Sequence, residues 1–96
     1  MLHLVKHSPS NTNSLALCLS YINQGDSILL LEDAVIAAIE GLQWQKKLQQ
    51  TGAQVFALKD DVIARGLSKN IAASVALIDM NDFVELTEIN KNILSW

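Results

Sequence analysis

The stretch SILLL at residues 27–31 decides the fold, because it is apolar at four consecutive positions, Ile28 to Leu31. A half-exposed strand alternates apolar and polar side chains, whereas a strand covered on both faces is apolar throughout. Glu32 and Asp33 follow directly and end the apolar run. The stretch therefore predicts a strand inside a parallel sheet that has helices on both faces.

Working outward, three more short apolar runs predict strands: LHLV at 2–5, AQVFAL at 53–58 and ASVALI at 73–78. The segments between them have helical patterns. The first is marked by four residues at i, i+3, i+4 and i+7 spacing, Leu15, Cys18, Leu19 and Ile22. This alternation predicts an α/β fold, a small flavodoxin-like three-layer domain that spans residues 1–96 as one unit, with a parallel sheet of about four strands. The tail at 90–96 fits neither pattern clearly.

Short polar residues stand where the predicted helices begin. Asn13 or Ser14 is expected to cap the first helix, and Asp33 is expected to cap the helix that carries AVIAAIEG at 34–41. After the third strand, Asp60 or Asp61 would cap a short helix, VIAR at 62–65, and after the fourth, Asp79 would cap the helix at 81–89. Capping accounts for these aspartates without any catalytic role.

The composition predicts a subunit of an assembly. Of the 96 residues, 50% are hydrophobic and only 18% are charged, and the mean hydropathy is +0.24. A chain of this length buries only about two thirds of its unfolded surface. An excess of apolar surface is most simply covered by another subunit. Two of the few aromatic residues, Trp44 and Trp96, lie outside the predicted strands and are candidate interface anchors, with ordinary packing as the equal alternative.

Charge and cysteine content exclude several classes. The net charge is −3 and the seven lysines and arginines are dispersed, with only Lys46 and Lys47 adjacent, which argues against direct nucleic-acid binding. No run approaches the ~18 apolar residues that a membrane span requires. A single cysteine excludes an intrachain disulfide and suits a reducing compartment. Because the first residues have the pattern of a strand and not of a signal peptide, a cytoplasmic protein is expected.

The loop KHSPSNTN at 6–13 is the best candidate for binding an anion, because it joins a strand end to a helix N-terminus. A flavin- or nucleotide-binding module is the function that this loop suggests. However, the loop has no glycine and Pro9 lacks an amide donor, so a solvated loop with a helix cap is favoured. The aromatic fraction of 5% also offers few rings for stacking.

Two histidines and one cysteine are the remaining candidates. On an extended strand His3 and His7 lie about 13 Å apart, too far to share one metal ion, so no metal site is predicted. His3 is expected to be structural, and His7, at the strand end, is a candidate contact for a ligand or partner. Cys18 is either a sulfur contact or an apolar side chain of the helix face. Packing is favoured, because a thiol in apolar surroundings is inert.

Four blocks and the final residue together resemble DsrH-type subunits of the DsrE/DsrF/DsrH-like sulfur-relay family, over the whole chain. The blocks are MLHLVKHSP at 1–9, GDSILLLEDAVIAAIEG at 25–41, VFALKDDVIARGLS at 55–68 and LIDMNDFVELT at 77–87, followed by Trp96.

The resemblance implies an auxiliary subunit of a sulfurtransferase heterohexamer, built from two copies each of this type and of TusC-like and TusD-like subunits. Such a complex accepts persulfide sulfur from TusA and passes it, with TusE, toward the 2-thiouridine of the tRNA wobble base, or acts in dissimilatory sulfur metabolism. The principal sulfur-carrying cysteine belongs to the TusD-type subunit. Some members have a cysteine at the place of Cys18 and others an apolar residue, so the resemblance suits a packing role there and leaves a secondary sulfur contact open. No cofactor is expected.

Overall fold

The computed structural model describes residues 1–96. In chain order its elements are β1 (Leu2–Val5), α1 (Ser14–Tyr21), β2 (Ser27–Leu30), a 3₁₀ helix (Glu32–Ala38), α2 (Gln43–Gln50), β3 (Gln54–Leu58), α3 (Lys59–Ala64), β4 (Ala76–Ile78), α4 (Met80–Ile89) and β5 (Ile93–Ser95). None of the helices has both the length and the apolar composition to cross a membrane.

All five strands are parallel and lie in the order β4-β3-β2-β1-β5. The α/β fold and the parallel sheet are therefore confirmed. The fifth strand comes from the tail that the sequence pattern left unassigned. It pairs with β1 through Leu2 and Ile93 and through Leu4 and Ser95. The backbone N–H of Trp96 extends the pairing by donating to the Leu4 carbonyl over 2.9 Å.

The chain order of the strands places helices on both faces of the sheet. From β1 to β4 the chain moves across the sheet in one direction, so right-handed connections put α1, the 3₁₀ helix, α2 and α3 on one face. The return from β4 to β5 runs the other way and puts α4 on the opposite face. Each face has its own hydrophobic cluster, of 15 buried residues on the first and six on the second. The three predicted layers are confirmed.

The segment after β2 forms a 3₁₀ helix and not the predicted α-helix. Its small side chains, Ala34, Ala37 and Ala38, are buried against the first face of the sheet, which brings the backbone close to the strands. The segment starts at Glu32, whose φ of 48° lies in the left-handed region that non-glycine residues rarely adopt. A tight turn at the end of β2 therefore sets the direction of this helix.

The expectation that Asp33, Asp60 or Asp61 caps the helix after its own strand is wrong. The 3₁₀ helix has Leu31 at its N-cap position and α3 has Leu58, and neither helix has a side-chain cap. Asp33 instead accepts hydrogen bonds from Arg65, and Asp61 accepts one from the Glu32 N–H over 2.7 Å. Because α3 follows β3 without a loop, its aspartates already lie within the first turn.

The cap predicted at Asp79 is confirmed. Its carboxylate accepts a hydrogen bond from the Asp82 N–H over 2.8 Å, and the Asp82 carboxylate accepts one from the Asp79 N–H. This reciprocal pair is a capping box. Asn13 occupies the N-cap position of α1, as expected, but its side chain makes no capping hydrogen bond.

Candidate functional site

The single thiol lies in the core. Cys18 projects from α1 into the first hydrophobic cluster and is fully buried. Burial raises the pKa of its thiol to about 12, and the negative charge of Asp26 adds to the rise. Sulfur chemistry uses the thiolate and needs an accessible side chain. Cys18 therefore has the surroundings of a packing residue.

A buried network joins both ends of the sequence. His3 is fully buried on β1. Its Nε2 lies 2.9 Å from the Oδ2 atom of Asp26, and its Nδ1 lies 3.0 Å from the Nε1 atom of Trp96. Asp26 directly precedes β2 and Trp96 directly follows β5. The network thus connects three neighbouring strands of the sheet.

The partners of His3 determine where its ring carries the hydrogen. An indole N–H is a donor only, so the Nδ1 of His3 must accept from Trp96. The ring hydrogen therefore lies on Nε2, which donates to the Asp26 carboxylate. The same carboxylate accepts from the Asn23 N–H over 3.0 Å and contacts the Met1 amine at 3.3 Å. The pKa of Asp26 is lowered to about 2. The hydrogen bond from His3 is the largest cause, and the one from the Asn23 N–H is the next.

The arrangement of His3 and Asp26 is similar to a catalytic dyad but has the properties of a structural clip. Both ring nitrogens of His3 already have partners, and no surface is left for a substrate. The Trp96 and His3 rings lie edge to edge, with centroids 6.1 Å apart and planes inclined by 23°, and the Trp96 ring contacts the exposed Tyr21 ring at a centroid distance of 5.3 Å. His3 is structural, as the sequence indicated, while its partners were not foreseen. The only signal of this network in the sequence was the presence of a histidine within an apolar strand.

The other candidates are spread over the surface. His7 is exposed at the carboxyl end of β1. Trp44 is half-buried against the first hydrophobic cluster, and the Nζ of Lys47 lies 4.6 Å from its ring centroid. Cys18 lies in the first hydrophobic cluster and Trp44 packs against it, whereas His7 is exposed and belongs to neither cluster. No three histidine, cysteine or acidic side chains form a group that could hold a metal ion.

The loop at 6–13 uses its own amide groups. The N–H groups of Asn11 and Thr12 donate to the Ser8 carbonyl, over 3.0 and 3.3 Å, and the N–H of Ser10 donates to the Ser8 hydroxyl. Pro9 has no N–H to offer. An anion cradle needs free amides that point at the ligand. This loop has few free amide groups, so its geometry does not favour a bound phosphate.

A concave surface lies on the second face of the sheet. It is a groove of about 350 Å³ between the sheet and α4, lined by Phe56, Ile78, Asp82, Glu85, Leu86 and Ile89. Several large apolar side chains are exposed elsewhere on the surface, among them Leu17, Tyr21 and Ile63. The sequence predicted excess apolar surface but gave no position for it.

Together, the fold and these sites define a small three-layer α/β domain with a buried thiol and an apolar surface. The family model described as "DsrH like protein" matches residues 7–93. Two relatives called "Protein TusB", from Escherichia coli (strain K12) and Salmonella enteritidis PT4, are 41% and 42% identical, and each alignment covers the whole of both chains. The chain belongs to the DsrH-like family, as its sequence blocks indicated.

Solved structures share the fold. The ychN protein from E. coli has a TM-score of 0.79 at 19% identity, covering 99% of this chain and 97% of that one. Protein Tm0979 from Thermotoga maritima has a TM-score of 0.66 at 30% identity, covering 92% of each chain. At 19% identity the first comparison shows a common fold only.

Proposed function

We propose that this chain is an auxiliary, non-catalytic subunit of a TusBCD-type sulfurtransferase complex in the cytoplasm. The complex would relay persulfide sulfur for 2-thiouridine formation at the tRNA wobble position. Membership of the DsrH-like family and the TusB relatives support a sulfur-relay role in tRNA modification. The partners would be TusC-like and TusD-like subunits in a heterohexamer, with TusA and TusE acting through the complex.

The burial of Cys18 is the observation that carries the non-catalytic role. In a persulfide relay, an acceptor thiolate attacks the outer sulfur of a donor persulfide. A new S–S bond forms on the acceptor as the old one breaks, and the donor leaves as a thiolate. Cys18 is fully buried and its thiol pKa is about 12, so it is both inaccessible and protonated. The reactive sulfur would therefore be carried by a partner subunit.

The remaining surface suits a subunit whose task is to complete an assembly. Tyr21 is 63% exposed, and its ring contacts the half-buried Trp96. Large aromatic side chains of this kind are frequent anchors in interfaces. We assign Trp96, and with it Trp44, to contacts with sister subunits. His7, exposed at the carboxyl end of β1, is free to face a partner there.

The proposal is tested in a strain whose own copy of the gene is deleted. Native chain, Cys18→Ala and Cys18→Ser are each supplied on a plasmid, and wobble 2-thiouridine is measured by mass spectrometry of digested tRNA. Co-purification of the partner subunits reports assembly in the same cells. We expect both variants to assemble and to retain thiolation near the native level. Loss of thiolation in a variant that still assembles would overturn the non-catalytic role.

The second hypothesis, a stand-alone flavin- or nucleotide-binding module, has a simple test. The purified native chain is examined for visible absorbance, and the supernatant after denaturation is analysed for nucleotides. The internal hydrogen bonds of the loop at 6–13 predict a colourless protein that releases none. A stoichiometric flavin or nucleotide would support the module and count against the auxiliary subunit.

A further inference from the structure

Helix α4 has an unusual combination of charge and exposure. Met80–Ile89 contains three acidic residues and no lysine or arginine. Asp82, Glu85 and Glu88 are exposed, and none of them forms an ion pair with a basic group of the chain. The helix also exposes large apolar side chains, with Ile89 at 74%. α4 thus presents unneutralised negative charge and apolar surface together.

The groove described above combines the same two properties. Phe56 and Ile78 of the sheet and Leu86 and Ile89 of α4 give it apolar walls. The two remaining lining residues, Asp82 and Glu85, are acidic and exposed. A groove that has apolar walls and acidic lining residues is complementary to an apolar side chain flanked by basic ones.

We propose that this groove docks a segment of a partner subunit that inserts an apolar side chain between lysines or arginines. The inference rests on the proposed function, because it takes the partner to be the TusC-like or TusD-like subunit of the same complex. The inference adds to the proposed function the position of the contact on this chain and the chemistry of the partner segment. The acidic lining residues steer the basic residues, and the apolar walls bury the central side chain.

A second copy of this chain is a poor occupant for the same groove. Two α4 helices brought face to face would place six carboxylates near one another with no basic residue on either helix. Like charges at an interface disfavour the pairing. The face is therefore suited to a different chain with basic residues, and not to self-association.

The test uses the purified native chain and the co-expressed TusC-like and TusD-like subunits of the same organism. Calorimetry at low and high salt measures the dissociation constant between these partner subunits and each of three chains: the native chain, Glu85→Lys and Ile89→Ser. Both changed side chains are exposed, so the fold should persist, and thermal unfolding of each variant checks this. The matched control is Glu40→Lys, which makes the same charge change at an exposed site beside the Ile39–Ile71 bridge.

We expect Glu85→Lys to weaken binding about tenfold or more and to flatten its salt dependence, because a steering charge is reversed. Ile89→Ser should weaken binding at both salt concentrations, and Glu40→Lys should change the dissociation constant less than twofold. If the native chain binds and Glu85→Lys behaves like Glu40→Lys, the groove assignment is overturned while the proposed function stands. If the native chain does not bind the partners at all, both are overturned.

Discussion

The indole N–H of Trp96 donates a hydrogen bond to the Nδ1 of His3 over 3.0 Å, linking residues 93 positions apart. The bond closes β5 onto β1, because Trp96 follows directly after the strand and its backbone N–H also reaches Leu4. His3 is fully buried, so its Nδ1 has no access to water. This contact holds the last strand of the sheet in place.

Replacing Trp96 with Phe should therefore lower the free energy of unfolding. The ring volume is reduced modestly, but the buried Nδ1 of His3 loses its only donor. Leaving a buried acceptor unpaired costs about 1–3 kcal/mol. Urea denaturation followed by circular dichroism measures the change. The control is Trp44→Phe, since no hydrogen bond of the Trp44 indole needs replacing; an equal loss in both variants would contradict the role of the bond.

Asp26 should make stability depend on pH at the acid end. Its pKa is about 2 in the folded protein, below the ordinary value of 3.8. A lowered pKa contributes stability that is present above pH 3.8 and is lost as the pH falls through about 2. The Asp26→Asn variant should be less stable than the native chain at pH 6 and should lose less on acidification. Denaturation at a series of pH values between 2 and 6 measures both. Parallel curves for the two proteins would show that Asp26 is not the group responsible.

The thiol of Cys18 should be unreactive in the folded protein. With a pKa of about 12, only about one thiol in ten thousand is ionised at pH 8. Burial adds a steric barrier. We expect a thiol reagent such as Ellman's reagent to label Cys18 slowly in buffer and completely in urea, which absorbance at fixed times measures. Rapid labelling without denaturant would show an accessible thiolate.

The capping box at α4 offers a matched pair of aspartate variants. Asp79→Ala removes the side chain that accepts from the Asp82 N–H and should cost about 1 kcal/mol of stability. Asp60→Ala changes an exposed aspartate inside the first turn of α3 that caps nothing, so it should change stability by less than about 0.5 kcal/mol. Urea denaturation of both proteins distinguishes the two roles. Similar losses would mean that Asp60 has a structural part that its position does not explain.

The central strands could be predicted because their sequence has one explanation. The run from Ile28 to Leu31 is apolar on every position, which suits only a strand covered on both faces. β5 was left unassigned because Ile93–Ser95 is only three residues long and all three residues are exposed. Such a strand has no alternation of buried and exposed residues that its sequence could show. Its place in the sheet depends on pairing with β1, which is distant in sequence.

The site was less predictable than the fold for the same reason. The burial of Cys18 followed from its position on the apolar face of α1. The link from His3 to Asp26 and Trp96 joins three segments that only the sheet order brings together. Similarly, Asp33, Asp60 and Asp61 looked like caps by position alone, while a long-range partner such as Arg65 for Asp33 has no local signal.

The proposed function has one direct test, which is to find the subunit that carries sulfur. The native complex, purified with its TusC-like and TusD-like subunits, is loaded with a persulfide donor, and the intact mass of each subunit is measured. The account predicts an increase by the mass of a sulfur atom on a partner subunit and none on this chain. A persulfide on Cys18, formed at a comparable level in the folded complex, would contradict it.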